Sequence, residues 1–180
     1  MKNKFTTQEI VTMAAFAAIL CVSAYLSIPS PFSGGAKITL LNFVIMLVIL
    51  VFPLRDSLTI IALWMILGLV GIPVFVGGQS GPGYLFGLYG GYAFSYIIVA
   101  IIIGLLKGKK YGRIRYTVFA IVMAVLVDLI GMLWWKITGN LTWSSAFLMG
   151  FVGFIPLDIV KAVIAAQIVP AFKKLLPDYL

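Results

Sequence analysis

Apolar residues run along this chain in long blocks, without the strict alternation of a half-buried strand. Breakers divide them into six segments, at 6–28, 37–52, 55–72, 83–106, 115–137 and 146–172. A helical crossing of a bilayer takes about 20 such residues. The pattern therefore predicts an all-α membrane protein, a bundle of six transmembrane helices. The blocks are too long and too weakly alternating for the strands of a membrane barrel. Pro53, Arg55 and Asp56 leave room only for a tight turn between the second and third segments. Losing both of those segments would leave the sidedness of the others unchanged.

Composition supports a membrane protein. Hydrophobic residues make up 63% of the 180 positions and charged residues 10%, against about 25% charged in a soluble domain. Mean hydropathy is +1.16. Residues 1–180 are expected to form one integral membrane domain. Lys2 and Lys4 precede the first segment, and Arg55 lies between the second and third. Lys107, Lys109, Lys110, Arg113 and Arg115 cluster between the fourth and fifth, and Lys173 and Lys174 follow the sixth. The other side holds Lys37 and Lys136. Positive residues stay on the cytoplasmic side, so both termini are expected there. The basic 4–5 loop reads as part of that pattern rather than as a nucleic-acid surface. The N-terminus has a signal-peptide layout ending in VSA at 22–24, but removing the first segment would spoil the charge parity.

The residues exclude most catalytic classes. There is no histidine, and the single cysteine, Cys21, allows no internal disulfide. The stretch GLLKGKK at 104–110 lacks the spacing and the hydroxyl of an ATP-binding loop. No zinc spacing, nucleophile elbow or dinucleotide fingerprint is present. Neither an enzyme, nor a metal site, nor a cofactor is expected.

The chemistry that remains is a few charges inside apolar segments. An Asp or Lys at the centre of a helical span costs about 2.5–3.5 kcal/mol on insertion scales, so it faces the bundle interior. Asp158 and Lys161, in GFIPLDIVKAVI at 153–164, stand three apart and share a helix face. Pro156 suits a first helical turn, where the dipole favours an acid. The pair either pins the sixth helix or offers an acceptor and a donor to a polar ligand, and the second reading gives a reason to keep it. Asp128, in the fifth segment, shares the charge of Lys161, or is a neutral acid against polar backbone, or contacts a ligand. Trp134 and Trp135 form either an interfacial belt or a wall for a flat ligand. Ala14 and Ala18 let another helix come close, from within the bundle or from a partner. The 1–2 loop SIPSPFSGGAK and the 3–4 loop GIPVFVGGQSGPGYLFG share one side, as connectors or as flaps over a site.

At these residues the sequence resembles the S components of energy-coupling factor (ECF) vitamin transporters, and specifically their biotin-binding BioY family. GIPVFVGGQSGPG resembles the family's G-[LI]-P-V-F-x-G-G stretch, and GLYGGY at 87–92 its G-P-T-G-G-Y. GMLWW at 131–135 resembles a Gly–Trp pattern, and PLDIVKA at 156–162 resembles P-G-D-x-x-K-A. Leu88 and Tyr89 stand where the family has Pro-Thr, and Leu157 where it has Gly. The resemblance implies a substrate-binding subunit in a prokaryotic cell membrane, energised by a separate T protein and two ABC-type ATPases. It implies that Asp158 and Lys161 contact the ligand, that loops 1–2 and 3–4 act as gates, and that Ala14 and Ala18 face the T protein. Gln79, Tyr84, Tyr89, Trp134 and Asp128 complete the expected substrate set. Biotin carries ureido N–H donors for Asp158 and acceptors for Lys161. Lipoate, which has a dithiolane in place of the ureide, is the alternative ligand.

Overall fold

The computed structural model describes residues 6–30, 37–108 and 110–176. Lys2, Lys4, Lys109 and residues 31–36 of the 1–2 loop lie outside the described residues. Six helices longer than ten residues follow in the predicted order: α1 (Thr7–Ser23), α2 (Leu41–Val51), α3 (Leu54–Leu69), α5 (Gly90–Leu106), α6 (Arg113–Thr138) and α8 (Ile155–Leu175). Two short helices, α4 (Pro82–Leu85) and α7 (Trp143–Phe147), and one π-helical turn (Leu148–Val152) join them. Both α6 and the stretch Trp143–Leu175 are long and apolar enough to cross a membrane.

Local chemistry explains the ends. Thr6 and Glu9 form a reciprocal capping box that starts α1. Pro53 sits just before α3, where its missing N–H costs nothing. Apart from Asn42 near its start, α2 is apolar throughout, and nearly every residue of it is buried. Such a helix belongs in the middle of a bundle, and α2 packs against α8, α1, α5, α3 and α6.

Three features depart from the sequence reading. The start of the second segment is a strand: β2 (Lys37–Thr39) pairs antiparallel with β1 (Ser27–Pro29), Ile28 opposite Ile38. The fourth segment breaks after α4 and restarts at Gly90, where a Cβ would collide with the Leu85 carbonyl. The sixth segment is interrupted by the π turn and restarts at Ile155, with Pro156 in the first turn as expected.

Lys107 also departs from expectation. It is 6% exposed rather than solvated. Its Nζ donates to the carbonyl groups of Ile49 at 2.5 Å, Leu50 at 3.3 Å and Phe52. These groups have no helical partner at the end of α2, and a cation suits a helix C-terminus.

Candidate functional site

At the end of the bundle opposite Lys107, a cavity of about 190 Å³ opens between α2, α5, α6, α8, the β1–β2 hairpin and the 3–4 loop. Its size suits a compact ligand. α8 supplies Asp158 and Lys161, which face it together as the three-residue spacing predicts. They form an ion pair, with the Asp158 side chain 2% exposed and that of Lys161 16% exposed. Asn42 of α2 donates through Nδ2 to the second Asp158 oxygen at 2.9 Å. The Tyr96 hydroxyl on α5 donates to Asn42 Oδ1, which fixes the amide orientation. Lys161 also donates to the Thr39 carbonyl at 3.0 Å, so it ties the hairpin to α8.

The pair is held but not saturated. Each carboxylate oxygen accepts two hydrogen bonds and an ammonium donates three. Asp158 therefore keeps acceptor capacity, and Lys161 keeps one proton. Tyr92, Tyr96 and Trp64 add aromatic wall.

The 3–4 loop borders the cavity through Val76 and Gln79. Gly77, Gly78 and Gly81 adopt φ of 74°, 77° and 83°, a region that β-carbons disfavour. Gly77 N donates to the Ala24 carbonyl at 3.2 Å, joining the loop to the end of α1. Trp64 Nε1 donates to the Val74 carbonyl at 2.9 Å. Phe75 stacks on Tyr84 with ring centroids 4.5 Å apart and seats over Gly68, where a Cβ would collide with its ring. Gln79 and Lys37 stand exposed at the rim.

Of the residues expected at a ligand, Asp158, Lys161, Asp128, Gln79, Tyr84 and Tyr89 all line this cavity. Trp134 does not, and its place as a ligand wall is corrected. Its indole packs against Gly91, where a Cβ would collide with it, and donates to the Gly87 carbonyl at 2.9 Å. Tyr92 seats over Gly131 in the same way. The GLYGGY and GMLWW stretches are thus two halves of one α5–α6 contact. Leu88 and Leu157 are 43% and 47% exposed, so of the three departures from the family pattern only Tyr89 faces the cavity. Ala14 and Ala18 are exposed on α1, outside the cavity.

Asn42, Thr39, Lys37, Trp64, Tyr92 and Tyr96 were missing from the expected set. Asn42 is a lone amide in TLLNFVIMLVILV, so the reasoning applied to Asp128 applies to it. Tyr89, Tyr92 and Tyr96 recur at helical spacing and mark one face. Lys37 and Thr39 gave no signal, because a three-residue strand is too short to show its period.

The model of the BioY family matches residues 1–178. "Biotin transporter BioY2" of Lactococcus lactis subsp. cremoris (strain MG1363) is 35% identical over 157 residues, covering 87% of this chain and 85% of that protein. "Biotin transporter BioY" of Thermotoga maritima is 30% identical over 168 residues, covering 93% and 97%. The crystal structure of an S component for biotin from an ECF-type ABC transporter superposes with a TM-score of 0.84 over 97% of this chain and 95% of that one. At 23% identity that likeness is one of fold. These relatives are named for transport, not catalysis.

Proposed function

Because the chain belongs to the BioY family, we propose that its cavity binds biotin and that it is the substrate-binding subunit of an ECF-type transporter. The observation that carries this reading is the Asn42–Asp158–Lys161 group, a buried acceptor and donor with spare capacity facing the cavity. A cyclic urea presents N–H donors and a carbonyl acceptor together. Asp158 takes an N–H group, and Lys161 gives its remaining proton to the carbonyl. The anionic tail points to the rim, where Lys37 is the cation. Tyr84 and Tyr89 cover the bicyclic body, and Gln79 meets the tail.

Lipoate has no N–H group for Asp158. A site built to bond such groups rejects an analogue without them by about 10⁴-fold or more. The relatives named above are also named for biotin.

The same reading places the basic end of the bundle and both termini in the cytoplasm of a prokaryote, and the cavity at the outer face of its cell membrane. Binding needs no chemistry from this chain. Energy comes from separate ATPases through a T protein that docks on the exposed Ala14–Ala18 face, where small side chains allow close helix contact.

The test is a calorimetric titration of the detergent-solubilised protein with biotin, then with lipoate. Saturable binding of biotin and none of lipoate is expected. Equal binding of the two, or none of either, overturns the assignment.

A further inference from the structure

Asp128 is 0% exposed, lies in the middle of α6 and faces the cavity. Neither of its carboxyl oxygens has a hydrogen-bond partner. The groups that face it from the neighbouring helices are directed elsewhere. On α5, Tyr92 donates to the Gly150 carbonyl at 2.8 Å, and Tyr96 donates to Asn42. On α2, Asn42 donates to Asp158. On α8, Asp158 itself faces Asp128 and accepts from Lys161 and Asn42, and Lys161 also donates to Thr39.

The cavity's charge count bears on this residue. Lys37 stands exposed at the rim, so inside the cavity Lys161 alone faces Asp128 and Asp158, an excess of one negative charge when all three are ionised. A carboxylate ligand adds to that excess. Asp128 is the acid without a partner, so it is where a proton lowers that excess. A neutral carboxyl group also gains an O–H donor, which an ionised one lacks.

We propose that Asp128 binds the ligand as a neutral acid, donating its O–H to a ligand oxygen, so that one proton is held in the cavity together with the anion. Asp158 serves as the ionised acceptor and Asp128 as the donor. Two carboxyl groups in one pocket take opposite roles because the ammonium and an amide bond to Asp158 and neither bonds to Asp128. The donation to a ligand rests on the cavity being a biotin site. The protonation of Asp128 does not.

The test has two arms. In the infrared spectrum of the ligand-free protein near neutral pH, the C=O stretch of a protonated carboxyl group is expected, and it disappears in Asp128→Asn. Absence of that band, or its survival in the variant, overturns the proposal. In biotin titrations, wild-type affinity falls as pH rises, and Asp128→Asn lessens that fall. Asp128→Asn, which keeps a donor, binds at least about tenfold tighter than Asp128→Leu, because a lost buried hydrogen bond to a polar ligand carries about that factor. Equal loss in the two variants, or an unchanged pH profile in Asp128→Asn, overturns the donor role. If the wild type binds no biotin, the infrared arm alone decides the protonation.

Discussion

Two lysines lie against backbone carbonyl groups at opposite ends of α2, and they differ in what is left over. Lys107 gives hydrogen bonds to three carbonyl groups at the end of that helix and is not among the residues lining the cavity. Lys161 gives one to Thr39 and one to Asp158, and its third proton faces open space. The first is spent on the fold, while the second is kept partly available. Burial of a charge alone therefore does not mark a binding site. Unused hydrogen-bonding capacity beside a cavity does.

Four measurements sharpen or break this contrast, in descending order of effect. Asp158→Asn weakens biotin binding about 100-fold, since it removes the charged acceptor and leaves Lys161 without its anion. Titration of the folded variant reads this, and wild-type affinity would remove Asp158 from the site. Lys107→Met takes the ammonium donor from the Ile49 and Leu50 carbonyl groups and costs about 1–3 kcal/mol of stability. Its biotin affinity stays at the wild-type level. A thermal melt and a titration together check it, and a binding defect without a stability defect would erase the distinction between the two lysines. Asn42→Leu releases one Asp158 oxygen and lowers affinity about tenfold. An unchanged constant would make Asn42 a bystander.

The last is a slope in pH, at most about 1.4 kcal/mol per pH unit. Burial pushes the Lys107 ammonium down to about 7, with Lys173 adding to the push and Asp56 opposing it. The free side chain titrates near ~10.4. Between those values the unfolded chain binds more protons than the folded one, so stability rises with pH from about 7 to ~10. Chemical unfolding in detergent across that range should show this slope in the wild type and a flatter one in Lys107→Met.

Asp158 and Lys161 were legible in the sequence because a charge in an apolar run is costly unless it faces something, and their spacing fixed a common face. Lys107 was not. In a loop with four other cations it reads as one more solvated charge, and only the three-dimensional path of α2 brings carbonyl groups to it. Trp134 and Trp135 are adjacent, so their side chains diverge around α6. The sequence could not show that one meets Gly87 and Gly91 while the other lies on Tyr89. The six-helix order was readable from hydropathy, but the β1–β2 hairpin and the π turn were not. The strands have three residues each and the π turn five, below the window in which periodicity registers.

A cylinder that is greasy all round has no preferred azimuth. Hydrophobicity alone can bring α2 into the bundle, yet it says nothing about rotation about its own axis. That angle is set at its two tips, where Asn42 engages Asp158 and the terminal carbonyl crown meets an ammonium some 16 Å away along an 11-residue helix. Turning α2 by a single residue's arc would unseat both tips at once, so the ligand pocket and the opposite face of the protein share one rotational setting.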